Sequence, residues 1–239
     1  MRTWQRGILG RAVFALLLGV WLALLPQAAS AEKTDWKDKS YDFSRVRRIL
    51  VYDVDFAGTE FSSSMKEHKY RQDFVEYTKK LGCEVLTYEQ AWRRVSLALG
   101  VDLDKMAATN ADQAMTLFHD NLTQVADAYI NSRVLKWENN YYIEPERTVW
   151  EQKRVDRSYR DRNGRWVNDY YYITVPVTYP PRRVDYSRLN MSFEVYDAKT
   201  GKMIFGREDA RDREGYDEHD GMYERICKAF FSEFGDKLH

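Results

Sequence analysis

Asp53 and Asp55 stand two residues apart in the run Val51-Tyr52-Asp53-Val54-Asp55-Phe56, so an extended backbone points both carboxylates to one face. Two carboxylates there could share a cation or divide acid and base roles. They could equally lie in solvent or cap the following loop. A second acidic group, Asp217-Glu218-His219-Asp220, sits between Gly215 and Gly221. It could hold a divalent cation, or be a solvated loop in which Asp220 caps the last helix. His68, His119 and His239 are the other histidines, and none has zinc spacing with another His or Cys. There is no Gly-rich phosphate loop, no Gly-x-Ser-x-Gly elbow and no His-Glu-x-x-His. The expectation is therefore no catalytic residue, no metal, no cofactor and a non-enzymatic role. A hydrolase or metal-binding enzyme using Asp53, Asp55 and His219 is the alternative.

A different chemistry comes from aromatic and basic residues. Tyr141-Tyr142 and Asp169-Tyr170-Tyr171-Tyr172 interleave with Arg157, Arg160, Arg162, Arg165 and Trp166. Tyr, Trp and Arg are the residue types enriched at binding hot spots. The candidate binding residues are Tyr141, Tyr142, Arg160, Arg165, Trp166, Tyr170, Tyr171 and Tyr172, facing a protein, a second copy or a glycan. The bland alternative is that these rings cover the sheet and stack across strands.

The chain's start bears on both readings. Arg2, Arg6 and Arg11, with no acid among them, precede the apolar run 12–25, and Pro26 and Ala29-Ser30-Ala31 follow. That order predicts a cleavable secretory signal peptide over residues 1–31. The apolar run is short of the roughly 20 residues a spanning helix needs. The Ala-Ser-Ala site argues against an uncleaved anchor, and no Cys follows it to accept a lipid. Cleavage after residue 31 of 239 leaves 208, which suits one domain. The leader's three Arg turn 37 basic against 37 acidic residues into a net −3, with no electrostatic footprint for nucleic acid. No later segment is long and apolar enough to cross a bilayer. The expected location is the bacterial periplasm or the exterior. Export would let Cys83 and Cys227 form a disulfide, worth roughly 4–5 kcal/mol on the chain-entropy model. Two buried free thiols are the other outcome.

Stepping along the chain, residues 32–44 are charged and aperiodic and read as a flexible leader. A strand over 46–56 is apolar on both faces at Ile49-Leu50-Val51, as in a central strand. Tyr70, Phe74, Tyr77 and Leu81 give a helix over 67–81, stopped by Gly82. A short strand over 83–87 and helices over 89–99 and 112–125 follow. From 128 to 208 the pattern is β-rich, and 223–238 returns to helical spacing through Ile226, Phe230 and Phe234.

Asn163-Gly164 predicts a two-residue hairpin turn. Pairing outward from it aligns Arg162 with Arg165 and Trp150 with Val177. Unbroken, each arm would reach about 100 Å at 3.3 Å per residue. Pro145, Pro176, Pro180 and Pro181 supply breaks. The reading is core strands near 128–137 and 189–196, with a protruding hairpin insertion over about 141–184.

Three stretches resemble a known family. They are the strand 49–56 with its Ser-rich loop and helix, Gly82-Cys83-Glu84-Val85-Leu86-Thr87, and Ala126-Asp127-Ala128-Tyr129-Ile130 through Val195-Tyr196-Asp197-Ala198-Lys199-Thr200-Gly201-Lys202. Together they are similar to the TolB amino-terminal-domain and CsgG-like bacterial envelope proteins, over most of 45–236. The insertion at 141–184 has no counterpart there. In the curli channel of that family, hairpins build a membrane barrel. Here neither face of 149–159 is a lipid face, because Glu151, Lys153 and Arg157 share one with Val149 and Val155.

These readings together predict an α/β fold: a mixed, largely antiparallel sheet packed by helices, with a protruding β-hairpin and a C-terminal helix. The expected function is that of an exported envelope protein that binds another protein or itself.

Overall fold

In the computed structural model, which describes residues 31–57, 59 and 64–239, the apolar run Ile49-Leu50-Val51, led by Arg48, forms the parallel strand β2 (Arg48–Val51). It lies between β3 (Glu84–Thr87) and β4 (Ala128–Glu144), parallel to both. β4 runs antiparallel to β7 (Arg182–Asp197), β7 to β8 (Met203–Glu214), and β8 to β1 (Ala31–Lys37). The sheet order is β1-β8-β7-β4-β2-β3. The fold is thus α/β, with a mixed and largely antiparallel sheet. The expected signal peptide lies outside the described residues, apart from Ala31.

Two cores explain why β2 is apolar on both faces. Ile49 and Val51 join a core closed by α1 (Ser64–Thr78) and α5 (His219–Leu238), where Phe74, Phe230, Phe231 and Phe234 pack. Leu50 joins a second core under α2 (Tyr88–Leu99), α3 (Leu103–Thr109) and α4 (Ala111–Asp120), with Leu86, Trp92 and Phe118. Local signals set the helix ends. Thr87 and Gln90 form a reciprocal capping box at the start of α2. After α1 comes one 3-10 turn, Lys79–Leu81, and Gly82 then turns left-handed at φ 70°. α3 is an element the periodicity does not predict, and α5 starts four residues earlier than expected.

The expected flexible leader at 32–44 is corrected. It supplies β1 and a 3-10 turn, Phe43–Arg45. What holds β1 is charge. Arg207 on β8, whose side chain is 0% exposed, donates to both carboxylate oxygens of Asp35 at 2.6 and 2.8 Å and to Glu233 of α5 at 2.8 Å. Lys33 reaches the same Glu233. A strand anchored by ions has no apolar alternation to read.

β4 and β7 stay paired far beyond the expected core strands, to Glu144 opposite Arg182. The ladder breaks at Pro145, Pro180 and Pro181 and resumes as a separate two-stranded ribbon of β5 (Arg147–Arg160) and β6 (Trp166–Tyr179). Glu144 bonds Arg182 across the break and lies 3.4 Å from Arg147. With 14 residues per strand the ribbon is about 46 Å long. Pro176, expected as a break, instead stands inside β6 opposite Trp150. In a two-stranded ribbon every strand is an edge, where proline is tolerated.

The expected hairpin register is off by one residue. The loop has three residues rather than two. Asp161 N–H donates to the Arg165 carbonyl at 2.9 Å, and Gly164 N–H donates to the Asp161 carbonyl at 3.0 Å. The Asp161 carboxylate also accepts the N–H groups of Asn163 at 2.9 Å and Arg165 at 2.8 Å. Among the described residues only Asp217 is a non-glycine with positive φ, so Asn163 does not adopt the conformation a two-residue turn demands, whereas Gly164 sits at φ 77°.

Candidate protein-interaction site

The one-residue correction re-sorts the ribbon's side chains, because a slip changes which residues share a face. With Arg160 opposite Trp166 and Val149 opposite Val177, the aliphatic residues of both strands fall together. Val149, Val155, Val167, Val175 and Val177 form a half-buried stripe, extended by Ile173, Tyr159 and Tyr171. The opposite face carries Trp150, Arg154, Tyr170, Tyr172, Arg160 and Trp166. There Arg154 lies 4.4 Å over the Tyr170 ring and Arg160 5.0 Å over Trp166. Thr148 and Thr178 hydroxyls meet at 3.0 Å, and Ser158 bonds Asn168 at 2.7 Å. A lone two-stranded ribbon is marginally stable in water, so these few contacts carry a large share of its order.

The candidate binding residues separate into two places. Trp166 and Arg160 close the tip, with Arg165 in the turn. Tyr170 and Tyr172 lie on the Trp/Arg face and meet edge-on at 5.8 Å, whereas Tyr171 points to the aliphatic face. Tyr141 and Tyr142 are not on the ribbon. They end β4, where Arg183 lies 4.1 Å over Tyr141 and the Tyr142 hydroxyl donates to Glu214 of β8 at 3.3 Å. Both rings are about half exposed there. Trp150, 70% exposed, and the valine stripe are the members that sequence reading misses.

Asp53 and Asp55 do share a cleft of about 290 Å³, lined also by Tyr52, Asn131, Arg133 and Glu194. Each carboxylate has a cation. Asp53 lies 3.3 Å from Arg71, and Asp55 accepts from Arg133 at 3.0 Å and from the Ala57 N–H at 2.8 Å. Burial pushes the Tyr52 hydroxyl to a higher pKa, and that hydroxyl has no hydrogen-bond partner among the described residues.

His219 does not line that cleft. It is fully buried, stacks on Trp137 at 4.6 Å and 14°, and hydrogen-bonds the Glu138 carbonyl through Nε2 at 3.1 Å. Its acidic neighbours are engaged by cations: Asp217 by Lys66 at 3.2 Å, with its other oxygen 3.7 Å from His219 Nδ1, Glu218 by Arg213 at 2.9 Å, and Asp220 by Lys69 at 3.3 Å. A hydrogen bond from Tyr70, helped by Lys69 and Lys66, holds the Asp220 carboxyl below its ordinary range. Among the described residues no His, Cys, Asp and Glu group has the geometry of a metal site.

Of the two outcomes open to Cys83 and Cys227, the structure has the free thiols. Cys227 is fully enclosed by the first core on α5, while Cys83 is half-buried beside it at the start of the β3 segment. Burial pushes both thiols up, Cys83 to about 11.

No described helix is long and apolar enough to cross a membrane. The sequence matches no protein-family profile and no curated protein. Among solved structures, the chain is similar to a PelC dodecamer from Paraburkholderia phytofirmans, with 10% identity, a TM-score of 0.41, and coverage of 87% of this chain and 98% of that one. It is also similar to the lipoprotein GNA1162 from Neisseria meningitidis, with 11% identity, a TM-score of 0.38, and coverage of 80% and 99%. Both likenesses stop at a loose agreement in chain path.

Proposed function

We propose that this is an exported, non-enzymatic protein of the bacterial periplasm or cell surface, and that its β5–β6 ribbon is the element by which it binds or assembles with other protein. One observation carries the reading: the ribbon presents an aliphatic stripe and an Arg/aromatic face, yet only its base joins the folded body. Two-stranded ribbons gain independent stability by adding strands or packing a face. Trp, Tyr and Arg are the side chains that dominate binding energy. The enzymatic alternative has less support, because Asp53 and Asp55 are each engaged by an Arg and His219 lies apart. The basic-aromatic face would accept a glycan too, but the valines on the opposite face favour protein.

The test replaces 145–181 by a tight turn between Glu144 and Arg182 and cross-links the mature protein in its native envelope. The ribbonless chain should fold, with an unchanged circular dichroism melt of the helices, and lose its cross-linked partners. An unchanged partner set would overturn the reading.

A further inference from the structure

We propose that the occupant of the aliphatic stripe is a second copy of this chain, the two ribbons lying face to face and antiparallel about a two-fold axis at the Arg154–Tyr172 rung. The inference rests on the reading of the ribbon as a contact element and names its partner.

The register supplies the argument. An isologous contact demands a self-complementary surface. With the axis at that rung, Val149 lies over Tyr159 of the second copy, Ile173 over Tyr171, and Val177 over Val167. Glu151 lies over Arg157. Within its own chain Glu151 has no cationic partner among the described residues and accepts only from the Tyr179 hydroxyl. Arg157 has Asp169, at 3.8 Å, as its one ionic partner among the described residues, and lies 4.9 Å over the Tyr159 ring. The antiparallel arrangement therefore makes two new ion pairs at symmetric positions, with the three apolar contacts around them; Lys153 falls over Val155, which its alkyl stem covers with the ammonium in solvent, and Asp169 falls over Val175 while keeping its pairing with Arg157.

The other two-fold, along the ribbon axis, would set β5 over β6 with both ribbons pointing the same way. It would bring two helix-covered bodies to the about 10 Å spacing of packed sheets, which their helix layers do not permit. The antiparallel arrangement puts the bodies at opposite ends. A face about 46 Å by about 10 Å covers roughly 450 Å² per copy, or about 900 Å² in all. That is below the 1,200–2,000 Å² of stable complexes, so the dimer is weak and concentration-dependent.

The test is sedimentation of the mature full chain over a concentration series from about 1 to several hundred μM, the range in which interfaces of this size assemble. The wild type should pass from monomer to dimer. E151R and R157E should each lower the dimer at least tenfold in affinity, and E151R/R157E should restore it. Because R157E also faces Asp169 of its own ribbon, the restoration is the decisive result. Thermal unfolding of each variant confirms that the body is folded. As a second measurement, V149C chains mixed with Y159C chains should cross-link, while V149C chains alone should not. A wild type that stays monomeric throughout, or a dimer that survives removal of 145–181, overturns the proposal. If the chain is monomeric but the ribbonless form still loses its native partners, the interaction role stands and only the second copy falls.

Discussion

Val149 of β5 stands directly across from Val177 of β6, and that pairing sorts every side chain of the ribbon onto its face. The pairing is set at the far end, where the Asp161 carboxylate accepts two backbone N–H groups across a three-residue loop. Asp161→Ala removes both hydrogen bonds, since both N–H groups donate to the same carboxylate oxygen. A two-residue Asn163-Gly164 turn should then compete, sliding β6 by one residue and scattering the valines over both faces. Cysteines placed at 149 and 177 would report it: efficient oxidation to a disulfide with Asp161 present, poor oxidation without it. Equal yields would show that the register is set elsewhere.

Gly235 of α5 lies against the 3-10 turn after α1. A Cβ there would meet the Lys80 carbonyl oxygen at 2.6 Å and the Leu81 Cα at 3.2 Å. Replacing a helix-interior glycine by alanine ordinarily gains about 1 kcal/mol. Here the close backbone reverses the sign, and Gly235→Ala should cost about 1–3 kcal/mol net as overpacking. Urea unfolding measures it, and an increase in midpoint would refute the close approach.

Arg207 joins β1, β8 and α5 through Asp35 and Glu233. Arg207→Met should destabilise by about 1–3 kcal/mol. The loss stays below the 3–5 kcal/mol of a fully buried pair, because the Asp35 and Glu233 side chains are 37% and 44% exposed and regain water. Protease sensitivity near residue 37 should rise as β1 detaches.

The same contacts give a pH dependence. The Arg207 hydrogen bond holds Asp35 below its ordinary carboxyl range, and Lys33, then Arg207, does the same for Glu233. Folded pKa values below unfolded ones mean that this stability is complete above the ordinary carboxyl range. It drains away as pH falls through about 4 and below. Denaturant titrations between pH 6 and 3 should show a smaller acid loss for Arg207→Met than for the wild type. Identical slopes would remove the network from the account.

Cys83 and Cys227 should resist thiol reagents at pH 8 in the folded protein and react fully in denaturant, since burial holds both thiols protonated. Exported protein analysed by intact mass should keep both thiol hydrogens. A mass short of two hydrogens would show the disulfide after all.

The elements that sequence reading places correctly are those with an apolar period or a stop signal. Ile49-Leu50-Val51 marks the strand buried on both faces, Gly82 and Gly100 end their helices in left-handed turns, and Phe230 and Phe234 mark α5. What it misses is held by polar bonds. β1 depends on Arg207, more than 170 residues away in sequence, and α3 starts from the Asp102 side chain accepting the Lys105 N–H. The ribbon lies between these cases. Pro145, Pro180 and Pro181 reveal where it breaks, and Tyr170 to Tyr172 reveal that it is unusual. The loop length that makes one face aliphatic depends on Asp161, whose role is invisible in a search for Asn-Gly turns.

β1, at the start of the described residues, pairs with β8 from Ala31 opposite Arg211 to Lys37 opposite Phe205. The first of these strands to be synthesised has no partner until residues 203–214 have been made, and its clamp on Glu233 waits longer still. The sheet edge therefore cannot be finished in any chain that stops short of residue 233, and a truncation at the carboxyl end would free a strand at the other.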